Sequence, residues 1–98
     1  MKLVHIDQLA LRELAKAEKK FPEWPEDIVH ACAILQEESG ELGKACLDFH
    51  YGRGTILRVK EEMAHLGAMV YRFGMYLENY KPGEEEWEKR LKTIKEEK

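Results

Sequence analysis

The chain has 98 residues, of which 16 are Lys or Arg and 19 are Asp or Glu, so its net charge is −3. This length accommodates one domain, residues 1–98, and the mild negative charge predicts no nucleic-acid partner, which would need clustered positive charge. No apolar run approaches the ~18 residues of a membrane span, and the first residues do not have the pattern of a signal peptide. We therefore expect a cytoplasmic protein without membrane contact.

The spacing of the apolar residues predicts helices throughout, because these residues recur every three or four positions. Pro22 and Pro25 interrupt the first helix, and Pro25 is predicted to be the first residue of the second. Gly52 and Gly54 indicate a turn after the second helix, and Thr55 is predicted to cap the third. The four predicted helices are residues 5–20, 25–50, 56–80 and 84–98.

The expected fold is an all-α small bundle of about four helices, built on an antiparallel pair formed by the second and third helices. The segment 81–83 is predicted to end the third helix. The fourth helix offers only Trp87, Leu91 and Ile94 as an apolar seam. Long apolar helices in so short a chain also predict a homo-oligomer, either a dimer or a tetramer.

The two cysteines lie on the predicted second helix and cannot pair with each other. Cys32 and Cys46 are about four helical turns apart, or roughly 21 Å, which is beyond the reach of a disulfide. They are predicted to be small core residues in a reducing compartment.

Two acidic clusters are the most informative chemical feature of the chain. The first contains Glu37, Glu38 and Glu41, and the second contains Glu62 and His65. At about 100° per residue, Glu38 and Glu62 each fall in the middle of the apolar stripe of their helix. A buried carboxylate is costly unless it is neutralised, paired or bound to a metal. Three or four converging carboxylates are the usual ligands of a hard divalent cation.

The flank of the third helix carries positive charge beside these carboxylates. Arg58, His65 and Arg72 recur at intervals of seven residues and share one face, and the arginines are candidates for binding phosphate oxygens. An alternative interpretation is that the acidic and basic residues form structural salt bridges. Phe21 and Trp24 likewise have two interpretations, as a platform for a base or as a plug over the end of the bundle.

The acidic clusters resemble the signature of the MazG-like superfamily of all-α nucleotide pyrophosphohydrolases, which reads Glu-Glu-x-x-Glu and then Glu-x-x-Asp. This chain supplies Glu37–Glu41 and then Glu62–His65. The segments Phe21–Ala31 and Gly67–Phe73 are similar to a branch of that superfamily found in bacteria and phages. The resemblance covers residues 20–77.

The resemblance implies a Mg²⁺-dependent hydrolase that splits a nucleoside triphosphate into a nucleoside monophosphate and pyrophosphate. It implies that the metal ligands are Glu38, Glu41 and Glu62, with His65 at the position of the fourth. It also implies that Glu37 and Glu41 are catalytic carboxylates, and that Glu37 supports, orients or deprotonates a water. The expected substrate-binding residues are Arg58, Arg72, Lys44, Trp24 and His30.

His65 departs from the signature, which has aspartate at this position. Three interpretations are open: three carboxylates and water hold Mg²⁺, the site prefers Mn²⁺ or another metal that accepts nitrogen, or the chain is a catalytically degenerate nucleotide-binding or helical assembly module. A different class is a di-iron helical metalloprotein, because Glu62 and His65 form a Glu-x-x-His motif. The di-iron pattern needs two such motifs, and this chain has one.

Overall fold

The structure is a computed structural model that describes the backbone of residues 1–80 and 84–96 and the side chains of residues 1–80 and 89–96. Within these residues the chain forms four helices and no strand, so the prediction of an all-α fold is confirmed. None of the described helices has both the length and the apolar character needed to span a membrane. The helices are α1 (Leu3–Lys20), α2 (Ile28–His50), α3 (Ile56–Glu78) and α4 (Glu84–Glu96).

The start of α2 differs from the prediction. The helix begins at Ile28, and Pro25 lies in the connection before it. Asp27 is the N-cap, because its Oδ1 accepts a hydrogen bond of 2.7 Å from the backbone N–H of Val29. A capping side chain satisfies one of the free donors at a helix start, and this local bond sets the boundary three residues after Pro25.

The turn between α2 and α3 follows the prediction. Gly52 has a φ of 75°, a conformation that glycine adopts at little cost. The Oγ1 of Thr55 accepts a hydrogen bond of 3.1 Å from the backbone N–H of Arg58, which confirms Thr55 as the cap of α3. This short connection reverses the chain, and α3 packs back along α2 as the predicted antiparallel pair.

The central helix is α3, because it packs against α1 as well as α2. Gly67 makes the approach of α1 possible: a Cβ built on Gly67 would lie 3.0 Å from the Cβ of Ala10. The sequence prediction concentrated on α2 and α3 and gave α1 no role at the acidic cluster. The packing of α1 on α3 gives it one, because its side chains then reach the same region.

The core of the described residues consists of small side chains, and none of the large ones is fully buried. The prediction that Cys32 and Cys46 fill the core is wrong, since both are exposed. The physical reason is that, among the described parts of the chain, α2 packs against α3 alone, which leaves much of its surface open. The buried apolar residues are Ala10, Ala31, Ala45, Ala64 and Ala68.

The end of the chain is only partly covered by the structure. The predicted helix terminator at residues 81–83, residues 97–98 and the side chain of Trp87 lie outside the described residues. On α4, Leu91 and Ile94 are exposed.

Candidate metal site and adjoining cleft

Glu62 is the most deeply buried charged residue that the structure describes, at 3% exposure. This confirms the prediction that it points inward from the apolar stripe. One carboxylate oxygen, Oε1, lies 2.7 Å from Nη2 of Arg58, and the other, Oε2, lies 3.5 Å from Nδ1 of His65. Both partners sit about one helical turn away on α3, so the buried carboxylate finds its closest partners on its own helix.

Glu38 of α2 completes a cluster with Glu62 and His65. One oxygen of each glutamate and one ring nitrogen of the histidine all lie within 4.8 Å of one another. Burial raises the pKa of the Glu38 carboxyl, the positive charge of His65 opposes this, and the negative charge of Glu62 reinforces it. The ionised form of Glu38 is therefore disfavoured in the folded chain, and a bound cation would stabilise it.

Glu13 of α1 contacts this cluster through His65, a contact that was not predicted from the sequence. Its Oε2 lies 3.2 Å from Nε2 of His65, and its Oε1 lies 3.3 Å from Nζ of Lys16. The available signal was its spacing, because Glu13 lies three and four residues from Ala10 and Ala17 and therefore shares their face of α1. The two ring nitrogens of His65 thus face carboxylates on opposite sides.

The donor set fits a divalent cation. Oxygen ligands lie at roughly 2.0–2.6 Å from such ions, so two ligands of one ion are at most about 5 Å apart. The 4.8 Å spread of the cluster falls within that limit. Two carboxylates and one imidazole suit a metal that accepts both oxygen and nitrogen, such as Mn²⁺, better than they suit Mg²⁺.

Two of the predicted metal-binding and catalytic residues lie outside this cluster. Glu37 and Glu41 are exposed on α2, and neither belongs to the group of ligand atoms within 4.8 Å. Both are nevertheless close enough that their negative charges help to raise the pKa of Glu38. The role of Glu41 as a metal ligand, and the catalytic roles of both residues, stay predictions.

A cleft of about 800 Å³ adjoins the cluster, and Glu13, Glu38 and His65 contribute to its wall. Trp24, from the connection between α1 and α2, lines the same cleft. Its indole Nε1 is buried and donates to no acceptor among the described residues. An unsatisfied buried donor costs about 1–3 kcal/mol, so an acceptor that reached this N–H would remove that cost.

Arg72 holds the connection that carries Trp24. Arg72 is 8% exposed, and its Nη2 donates to the backbone carbonyls of Phe21 at 2.6 Å and Glu23 at 3.2 Å. Its guanidinium carbon lies 5.0 Å from the centroid of a Trp24 ring. Part of its hydrogen-bonding capacity is therefore committed to the backbone, while its predicted role in binding phosphate stays a prediction.

The other predicted substrate-binding residues lie away from the cleft. Arg58 is engaged in ion pairs on α3, His30 pairs with the N-cap of α2, and Lys44 is exposed on α2. None of the three lines the cleft. The cationic residues that line it from α1 are Lys16 and Lys20, which the sequence analysis did not select.

Comparison with known proteins identifies no relative: no family model, no curated protein and no solved structure matches this chain. The MazG-like resemblance therefore rests on the motifs of the chain itself.

Proposed function

We propose that this protein is a divalent-metal-dependent hydrolase that converts a nucleoside triphosphate into a nucleoside monophosphate and pyrophosphate. The observation that supports it most directly is the convergence of Glu38, Glu62 and His65 beside the cleft, to whose wall Glu38 and His65 contribute. A volume of about 800 Å³ lies within the range of small-molecule sites, which are roughly 300–1,000 Å³. The reaction class comes from the resemblance of the acidic clusters to the MazG-like signature.

Each part of the cluster has a defined task in this proposal. A divalent cation would bind phosphate oxygens and take up the negative charge that develops in the transition state. Glu38 of α2 and Glu62 of α3 would hold it, and Mg²⁺ and Mn²⁺ are the candidates. Glu37 or Glu41, within charge range of Glu38, would orient or deprotonate the water that attacks phosphorus in line.

The cleft offers different groups to the two ends of a nucleotide. Trp24 offers a ring and a buried N–H donor, which suit a heteroaromatic base with an acceptor atom. Lys16 and Lys20 offer positive charge to phosphate oxygens. Arg58 and Arg72 would reach the phosphates only by exchanging their present partners.

We also propose a homo-oligomer, a dimer or a tetramer. The radius of gyration of 17.6 Å exceeds the ~13 Å of a compact domain of this length. Large apolar side chains such as Leu47, Val70 and Met75 are exposed, and a second copy would cover such surface. Sedimentation that shows only monomer at micromolar concentration would contradict the oligomer.

The exposed free thiols of Cys32 and Cys46 favour a reducing compartment, for which we propose the cytoplasm.

A nucleotide-binding or assembly module without turnover is the second candidate. It is favoured by the contacts of the cluster, since Arg58 already compensates the charge of Glu62, and His65 lies between Glu62 and Glu13. A carboxylate that has its own protein partners binds metal less readily, because the metal must compete with them.

A panel of nucleotides, assayed for pyrophosphate release with Mg²⁺ and with Mn²⁺, tests the two candidates. The variants are Glu62→Gln and, as a matched control, Glu61→Gln, because Glu61 also faces Arg58 but lies outside the cluster. We expect metal-dependent release that is lost in Glu62→Gln and kept in Glu61→Gln. Nucleotide binding without release by the unaltered protein would favour a nucleotide-binding module. No nucleotide binding would contradict the hydrolase and leave only the assembly module.

A further inference from the structure

We propose that Glu13 of α1 is a positioning residue that determines which ring nitrogen of His65 faces the metal site. Oε2 of Glu13 lies 3.2 Å from Nε2 of His65, while Nδ1 of His65 lies 3.5 Å from Oε2 of Glu62. This inference rests on the metal site of the proposed function. It adds a residue from a third helix to a site that the sequence motifs place on α2 and α3 alone.

The chemistry follows from the donor and acceptor capacities of the two side chains. A neutral imidazole has one N–H donor and one nitrogen lone pair, whereas an ionised carboxylate only accepts. Carboxylates face both ring nitrogens, but the contact with Glu13 is the shorter, at 3.2 Å against 3.5 Å, and Glu62 already accepts from Arg58. Glu13 therefore favours the tautomer in which Nε2 carries the proton. The lone pair of Nδ1 is then directed to the side where Glu62 lies. Histidine ligands of metals commonly donate their second N–H to a carboxylate in this way.

The structure also shows what holds Glu13 in place. Its second oxygen, Oε1, pairs with Lys16 at 3.3 Å, so both carboxylate oxygens are engaged. Glu13 lies one turn after Ala10, whose Cβ is in contact range of Gly67 on α3. The docking of one helix on another thus places the carboxylate, and helices position such groups more precisely than loops do.

The orientation of the His65 ring affects which metal the site prefers. An imidazole ligand is acceptable to Mn²⁺, while Mg²⁺ selects oxygen ligands in near-ideal octahedral geometry. If Glu13 keeps Nδ1 of His65 available, it favours Mn²⁺ over Mg²⁺. Removing a carboxylate that orients a metal ligand typically weakens metal binding about 10- to 100-fold.

The test compares Glu13→Gln with the matched control Glu18→Gln, an exposed glutamate on the same helix that does not line the cleft. Long-range ¹H–¹⁵N NMR of the metal-free proteins at mildly alkaline pH reports which nitrogen of His65 is protonated. We expect Nε2–H in the unaltered protein and in Glu18→Gln, and a changed tautomer population in Glu13→Gln. A ring protonated mainly at Nδ1 in the unaltered protein overturns the inference without any variant.

Mn²⁺ binding, followed by electron paramagnetic resonance with Mg²⁺ as competitor, is the second readout. We expect Glu13→Gln to weaken Mn²⁺ binding about 10-fold or more and to reduce the preference over Mg²⁺. In a His65→Gln background, Glu13→Gln should cause no further loss, because Glu13 acts through the ring. If Glu13→Gln binds Mn²⁺ unchanged while Glu62→Gln loses it, the inference is wrong and the metal site stands. If the unaltered protein binds no Mn²⁺, both this inference and the proposed metal site are wrong.

Discussion

Nη2 of Arg58 lies 2.7 Å from Oε1 of Glu62, and the two side chains differ sharply in exposure, at 54% for the arginine and 4% for the glutamate. The guanidinium of the largely exposed Arg58 therefore compensates the charge of the Glu62 carboxylate, which is almost fully buried. This contact stabilises the metal-free chain and leaves Oε2, the oxygen nearer His65, as the one that a metal would take.

Replacing Arg58 with methionine should destabilise the metal-free protein by about 1–3 kcal/mol, because the buried carboxylate of Glu62 loses its closest partner. Added Mn²⁺ should stabilise this variant more than the unaltered protein, since the metal supplies the missing positive charge. Thermal unfolding with and without Mn²⁺ measures both effects. Arg53→Met is the control: its pair with Asp48 is longer, at 3.6 Å, and more exposed, so its loss should cost under about 1 kcal/mol.

The carboxyl of Glu38 should make the metal-free protein less stable as the pH rises. Burial raises its pKa above the ordinary 4.5 in the folded chain, so the folded state binds this proton more tightly than the unfolded state. The free energy of unfolding therefore falls as the pH rises from 4.5 through the raised pKa. Glu38→Gln should raise Tm at neutral pH, and this gain should vanish in acid. Exposed Glu18→Gln, which does not contribute to the raised pKa of Glu38, is the control, and a gain for Glu38→Gln that grew on acidification would contradict the prediction.

Replacing Arg72 with methionine should lower the free energy of unfolding by about 2–4 kcal/mol. It removes two charge-assisted hydrogen bonds to backbone carbonyls, and methionine supplies no donor in their place. The connection that carries Trp24 should loosen as a result. Urea unfolding measures the stability. Trp24 fluorescence, recorded in a Trp87→Phe background because the chain has two tryptophans, reports on the cleft. Tyr76→Phe is the control, since it removes a single hydrogen bond, from the Tyr76 hydroxyl to the carbonyl of Glu26, and should cost about 0.5–1.5 kcal/mol. Equal losses in the two variants would argue against the special role of Arg72.

Gly67→Ala should destabilise the protein by about 1–3 kcal/mol, since the new Cβ would lie 3.0 Å from the Cβ of Ala10 and force α1 away from α3. It should also weaken Mn²⁺ binding, because Glu13 moves with α1. Gly40→Ala meets nothing within 4 Å and should stabilise the protein by up to about 1 kcal/mol, as expected for alanine in a helix. Denaturant unfolding of both variants checks the pair, and a stabilising Gly67→Ala would show that α1 is not tightly docked.

His65→Asp should replace the nitrogen ligand with oxygen and shift the metal preference from Mn²⁺ toward Mg²⁺. Without metal it should lower Tm, since the new carboxylate stands beside Glu13 and Glu62. Pyrophosphate release and Tm, measured on the same samples with each metal, separate the two effects. A lower Tm with no gain in Mg²⁺-supported release would show that position 65 does not hold a metal ligand.

Features that depend on neighbours along the chain could be predicted from the amino-acid sequence. The helical periodicity, the cap at Thr55 and the inward direction of Glu62 all follow from interactions within a few residues, which is why they could be predicted. The start of α2 is an exception. The hydrogen bond between Asp27 and the N–H of Val29 sets the first turn, and it outweighs the preference of proline for that turn.

The set of helices that meet at the site depends on long-range packing and could not be predicted. Glu13 reaches His65 because α1 packs on α3, Arg72 reaches the carbonyls of Phe21 and Glu23 across the fold, and Trp24 is left with a buried free donor. Each of these relationships joins residues that are far apart in the chain. Helical periodicity identifies the face of a helix but carries no information about the partner that face will contact, since many helix pairings bury the same stripe.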